Sequence, residues 1–426
     1  MARRKKKAPI WVTVIALLLV AAIVVCFVLH KKGVINIPFL NDESSSESVL
    51  GSDDGASDSS GGNASDSSNG GSSDSANGGS SDSSNGGSSD GSGGGDVPPV
   101  VTTDALSIHF LELGNKYAGD CTLIDIGETE ILIDAGSIKG SAATIVPYIK
   151  QYCADGVLEY VIATHAHEDH IAAFVGTSSA KGIFDSFECE TIIDYALSSS
   201  TTQIRKDYET KRDAEVASGA KHYTVLECWN NANGAKRSYT LGEGITMNFL
   251  YQKYYEEKTN DENDYSVCML LTQGENNYLF TGDLEEKGEA SLVEKNTLPK
   301  CKLYKGGHHG SPTSSTDALL KMIQPEIICV CCCAGSNEYT SIEENKFPSQ
   351  EFVNRIASYT DKVYVTTLAI NDTNGKTTGY KSMNGNIVVS CTDGKRMTVN
   401  CTNNNILLKD TDWFKENRTM PDAWQS

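Results

Sequence analysis

Residues 161–174 read VIATHAHEDHIAAF, and this stretch decides the fold. It sets His165, His167, Asp169 and His170 within six residues, after an apolar β-branched run and before a small-residue segment of helical character. That is the pattern of a strand feeding a tight loop that opens a helix. Imidazole and carboxylate suit zinc and related divalent ions, and a loop at a strand end can converge them on one point without disturbing the ladder. His165 and His167 point to one site, Asp169 and His170 to a second beside it. Three of the eight histidines in the chain fall in this hexapeptide, which sets it apart from a merely polar loop.

Outward from that loop, composition divides the 426 residues unevenly. Residues 42–96 hold eleven acids and no Lys or Arg, and from residue 97 onward 29 basic residues face 45 acidic ones, a balance of −16. A surface that grips long polyanions is basic, so broad nucleic-acid binding is disfavoured, while a small phosphate site stays open. Residues 1–7 are a basic segment, and residues 8–29 are uncharged and mostly apolar. As a helix those residues span about 33 Å, enough for a hydrocarbon core of about 30 Å. The longer basic run ahead of it predicts a cytoplasmic N-terminus and everything beyond residue 29 outside the cell, on an uncleaved single-pass anchor. Residues 30–98 are Ser/Gly/Asp-rich, with an eight-residue unit visible as NGGSSDSA at 69–76 and NGGSSDSS at 77–84. With no large apolar residue this repeat buries no face, and it reads as a disordered tether of about 40 Å span.

The folded part is placed at 99–409, with 410–426 as a C-terminal tail. LSIHFLELG, CTLIDIG and EILIDAG read as three strands of a meander at a sheet edge, 142–152 as a helix, and ETIIDYA as a strand. The segment 198–219 reads as an exposed helix, ITMNFLY as a strand, and SVCMLLTQGENNYLFTGD as a hairpin ending at Asp283. EIICVCCCAG reads as a buried strand in which cysteine serves as a small apolar side chain. Cys391 and Cys401 flank a hairpin turn, TDGK, and are the first pair to check for a bridge.

THAHEDH, LIDAG at 132–136 and FTGD at 280–283 together resemble the metallo-β-lactamase superfamily. The finer pattern, HFLELG, NDYS, LFTGDLEEKGE, KGGHHGSPTSS and NKFPSQEFVNRI, is similar to the hydrolase domain of the late-competence ComEC family over residues 106–387. The resemblance implies an α/β fold, a four-layer αββα sandwich, with metals at one edge of the two sheets. It makes Asp134 a support of the histidine loop and Asp283 a bridge between two metals. Site one receives His165 and His167. Site two receives Asp169, His170 and His308, chosen because it comes first after KLYKGG, and His309 then either supports the ligands from behind or faces substrate, with Asp169 and His309 as the catalytic pair. Two departures stand out: ITMNFLY is followed by Gln252 where many members of the superfamily supply a third histidine to site one, and Phe347 precedes Pro348 where histidine is common.

One or two divalent ions, zinc or manganese, ionise water and stabilise a phosphorane or oxyanion. The expectation is therefore a membrane-tethered extracellular hydrolase of phosphodiesters, either nucleic acid or a cell-wall polymer. Lys300, Lys302 and Lys305, with Ser311, Ser314 and Ser315, are candidates to position one phosphate. The alternative is a metal-bearing surface module that binds or senses a ligand with little turnover.

Overall fold

The computed structural model describes residues 102–425, and the expected anchor and tether lie outside the described residues. Among the described residues no helix is long and apolar enough to cross a membrane. The described residues form sixteen strands. The first six are β1 (Leu106–Phe110), β2 (Thr122–Asp125), β3 (Glu130–Ile133), β4 (Val157–Ala163), β5 (Glu188–Asp194) and β6 (Lys221–Thr224). After them come β7 (Ser238–Gly242), β8 (Ile245–Phe249), β9 (Met269–Gln273), β10 (Asn276–Phe280) and β11 (Leu303–Lys305). The last five are β12 (Ile327–Ala334), β13 (Val363–Asn371), β14 (Thr377–Ser382), β15 (Ile387–Cys391) and β16 (Met397–Cys401).

They form two eight-stranded sheets, one ordered β16-β15-β1-β2-β3-β4-β5-β6 and the other β14-β13-β12-β11-β10-β9-β8-β7. Both are mixed. The β3 to β6 ladder is parallel in the first, as is β10 to β13 in the second. The β1–β3 meander does not lie at an edge, because the late hairpin β15–β16 returns to pair with β1 and covers it. In that hairpin Cys391 faces Met397 and Cys401 faces Ile387, so the two cysteines sit at opposite ends of the ladder and do not bridge.

Period-two alternation explains the layers. On β12, Cys329 and Cys331 turn into the core between the sheets, while Ile328, Val330 and Cys332 turn outward into a second core beneath helices. Tyr278 and Phe280 of β10 likewise face inward, with Leu279 outward. The Phe110 and Phe280 rings stack 6.5 Å apart between the sheets. The helices α1 (Ala142–Ile149), α2 (Glu168–Val175) and α3 (Gln203–Ser218) cover the first sheet through Ile145, Ile171, Phe174 and Tyr208. A short helix, α4 (Val225–Asn230), follows β6. The helices α5 (Glu286–Lys295), α6 (Asp317–Ile323) and α7 (Gln350–Ile356) cover the second sheet through Leu292, Leu320 and Phe352. The four-layer sandwich expected from the sequence is thus present. The segment set apart as a tail belongs to its core: α8 (Asp412–Asn417) buries Phe414 in the second core, and Trp424 packs beside it.

Candidate metal centre

Four chain segments deliver side chains to one edge, each from the loop that follows a strand: β3, β4, β10 and β11. The strand β4 lies inside the parallel ladder between β3 and β5, and because both faces of the sheet are covered there VIA is buried without alternation. Its loop passes Thr164, His165 and His167 and enters α2, whose first turn carries Glu168 and Asp169. Negative charge there is favoured by the helix dipole.

Asp134 holds this loop. It takes a left-handed backbone (φ 59) that turns its carboxylate under β4, where Oδ1 accepts from the Thr164 N–H at 2.7 Å and Oδ2 from the Thr164 hydroxyl at 2.8 Å. Oδ2 also lies 2.8 Å from Nδ1 of His170, which fixes that ring with Nε2 facing Asp283 at 3.0 Å. Gly136 lets the next turn press on the loop, since a Cβ there would stand 1.5 Å from the Asp169 carbonyl oxygen. These contacts match the supporting role expected of Asp134.

One ligand atom from each of Asp169, His170, Asp283 and His309 gathers within 4.8 Å of the others. Here the structure corrects the sequence reading: His309, not His308, completes this group. His308 and His309 both have left-handed backbones (φ 44 and 54), and the turn sends the two rings in different directions. His309 is fully buried, with Nδ1 on the Cys331 carbonyl at 2.9 Å and Nε2 3.1 Å from Asp283 Oδ2 and 3.4 Å from Asp169 Oδ2. The ring of His308 turns to the cleft, where Nδ1 meets Glu285 at 3.2 Å, and its Nε2 stays 3.9 Å from Asp283.

His165 and His167 bring Nε2 and Nδ1 to 3.0 Å of each other, beside His170. Among the described residues no carboxylate oxygen pairs with either ring. Gln252, at the place where a third histidine was sought, is buried and holds its own turn, donating to the Asp264 carbonyl and accepting from the Tyr254 N–H. His222 pairs with Asp194 at 2.9 Å, outside the cluster.

The charge pattern fits a cation. Burial pushes the His170 and His309 imidazoles down, but the Asp283, Asp134 and Asp120 carboxylates outweigh it and hold both well above the ordinary range. Burial pushes Asp169 and Asp283 up, and the imidazoles of His170 and His309 reverse this and hold both low. His165, with burial dominant, is held well below the ordinary range. Asp283 Oδ1 and His309 Nε2 are buried without a hydrogen-bond partner. Buried polar atoms without partners are costly, and a divalent ion satisfying the converging donors accounts for the His309 Nε2 atom.

Three participants were not singled out as part of this cluster. Asp120, in NKYAGD, lies under it, 3.3 Å from His309 Nδ1, with its backbone N–H on the Asp169 carbonyl. Lys305 is buried and pairs with Asp120. Tyr339, about half exposed, donates its hydroxyl to Asp169 Oδ2 at 2.7 Å. No motif marks Asp120 or Tyr339; only the tertiary fold brings them in. Of the other expected phosphate-positioning groups, Lys302 pairs with Glu326, Ser311 bonds Thr313, Ser314 donates to the Leu284 carbonyl, Ser315 bonds Tyr304, and Lys300 lines a separate cleft with Glu275 and Glu326. Phe347 stands over the cluster, its ring 5.7 Å from His308 and 5.3 Å from Tyr339.

A cleft of about 1290 Å³ opens beside His167, with Asp261, Glu262, Asp264 and Glu285 in its wall and Lys287 and Arg355 as its cations.

Comparison with known proteins follows the same lines. The sequence profile of the metallo-beta-lactamase superfamily matches residues 114–182. The chain is 26% identical over 258 residues to "Competence protein ComA" of Neisseria gonorrhoeae, covering 59% of this chain and 30% of that one. It is 27% identical over 259 residues to "Recombination protein 2" of Haemophilus influenzae, covering 59% and 26%. The chain therefore spans under a third of the length of these relatives. Among solved structures, the metallo-beta-lactamase fold protein YhfI from Bacillus subtilis aligns at a TM-score of 0.37 and 12% identity, over 62% of this chain and 97% of that one.

Proposed function

The chain belongs to the metallo-β-lactamase superfamily and is ComEC-like in its folded part, and from this premise we propose that it is a metal-dependent hydrolase of phosphodiesters, held at the membrane with its folded part outside the cell. The observation that carries the reading is the convergence of Asp169 with the buried His170, Asp283 and His309, with His309 Nε2 left unpartnered. A divalent ion held by these four would bring the pKa of a coordinated water to about 7 and offset negative charge growing on a phosphoryl oxygen.

The chain's own residues supply the rest. Asp134 and the Cys331 carbonyl hold His170 and His309 by their Nδ1 atoms, which leaves both Nε2 atoms aimed at the ion. Tyr339 fixes one oxygen of Asp169. His308, paired with Glu285 at the cleft wall, is placed to hold a proton near a departing oxygen. The acidic cleft weighs against a long bare polyanion, which leaves a short or locally neutralised phosphodiester, of which a cell-wall polymer is one source.

The test is hydrolysis of bis-p-nitrophenyl phosphate by the purified protein loaded with zinc or manganese. Wild type is expected to turn over, and Asp169→Ala and Asp283→Ala to lose activity with the fold retained by circular dichroism. Bound metal without turnover on phosphodiesters, phosphomonoesters or lactams establishes instead a binding or sensing module, the reading that the incomplete His165 and His167 pair favours.

A further inference from the structure

Lys305 closes β11, in register with Cys329 of β12, and its side chain is only 3% exposed. Its ammonium group pairs with Asp120 Oδ2, lies 3.9 Å from Asp283 Oδ1, and donates to the Gly306 carbonyl at 3.2 Å. Lysine is rarely buried in this way unless its charge is matched. The two oxygens of Asp283 accordingly face different groups. The rings of His170 and His309 approach Oδ2, at 3.0 and 3.1 Å, and His308 is nearest to the same oxygen. Oδ1 faces Lys305 and has no hydrogen-bond partner.

From this division we infer that Lys305 is a built-in cation that takes the Oδ1 side of Asp283, so that of the one or two divalent ions expected from the sequence the centre holds only one tightly. Three features carry the inference. The four-donor group lies on the Oδ2 side and is complete for one ion. The His165 and His167 pair offers two ring nitrogens and, among the described residues, no carboxylate within 4 Å, too few donors for a strongly held second ion. Finally, Lys305 already places a positive charge on the Oδ1 side of Asp283, 3.9 Å from that oxygen. Lys305 is therefore a positioning residue: it orients Asp283 and Asp120, and Asp120 in turn backs His309 through Nδ1 at 3.3 Å. The inference rests on the metal-centre reading above but not on turnover, since its measurement is metal content.

The experiment is elemental analysis of the full-length protein after zinc loading and gel filtration, with competition against a chelator of known affinity. Wild type is expected to retain one ion per chain. His165→Ala/His167→Ala is expected to keep that ion, and Asp169→Ala to lose it. Lys305→Met frees Asp283 Oδ1 and Asp120, and its tight ratio is expected to rise toward two. Should Lys305→Met not fold, Lys305→Met/Asp120→Asn lowers the unpaired charge and is read in the same way, while Lys305→Arg keeps the charge and is expected to stay at one. Two equally tight ions in wild type overturn the inference, as does a lysine-free variant whose ratio and affinity match wild type. A ratio of one together with no hydrolysis of any ester overturns the proposed function and leaves this inference standing.

Discussion

His309 gives its Nδ1 side to a backbone carbonyl and keeps Nε2 for the cluster, while its neighbour His308 is spent on a glutamate at the cleft wall. The two residues differ in what they do because the backbone between them is left-handed, a conformation that costs about 1–3 kcal/mol at each non-glycine position and persists where the surroundings enforce it. Replacing each by alanine separates the roles. His309→Ala is expected to lose bound metal, whereas His308→Ala is expected to keep it and to lower kcat with little change in metal content. Equal metal loss in both would place both rings on the ion. Asp134 acts one step further out. Asp134→Asn leaves the shape intact but weakens the carboxylate's hold on His170, and a drop of about 10- to 100-fold in metal affinity is expected at unchanged stoichiometry. An affinity within twofold of wild type in chelator competition would remove Asp134 from the metal's supporting shell.

At the level of elements, the strands that carry the site are also those that divide the two cores. The outward side chain of Ile328 on β12 packs beneath the helices of the second sheet, and Ile328→Ala is expected to cost about 2–5 kcal/mol in chemical denaturation. A loss below about 1 kcal/mol would mean that the second core repacks around the cavity. This is where the sequence was most legible. The THAHEDH loop, the LIDAG and FTGD strand ends and the buried cysteine strand all lie where their local patterns place them, because period-two burial and strand-end polarity are short-range signals. What stayed hidden depends on long-range geometry. The β15–β16 register that separates Cys391 from Cys401 is fixed by pairing, not by spacing. The choice between His308 and His309 turns on backbone angles that two identical residues cannot announce. Asp120 reaches the centre only because the β1–β2 loop folds over α2, where its N–H meets the Asp169 carbonyl.

For the whole molecule, the buried histidines set how stability follows pH and metal. His170 and His309, raised by neighbouring carboxylates in the metal-free protein, contribute stability that is complete below the unfolded value of about 6.5 and is lost as pH climbs through their folded values. His165 and His109 run the other way. Burial pushes His165 well down and His109 down to about 4, so the unfolded chain takes up protons that these two refuse, and stability falls as pH drops below about 6.5. In the chelated protein the two pairs of histidines therefore pull stability in opposite directions on either side of about pH 6.5. An ion held by the Nε2 atoms of His170 and His309 displaces the protons whose loss weakens the metal-free form, so its stabilisation grows with pH. Thermal melts of zinc-loaded and chelated protein from pH 5.5 to 8.5 should show a Tm gap that widens steadily. A gap independent of pH would mean that the bound ion displaces no protons from these histidines, and hence that it is held elsewhere on the molecule.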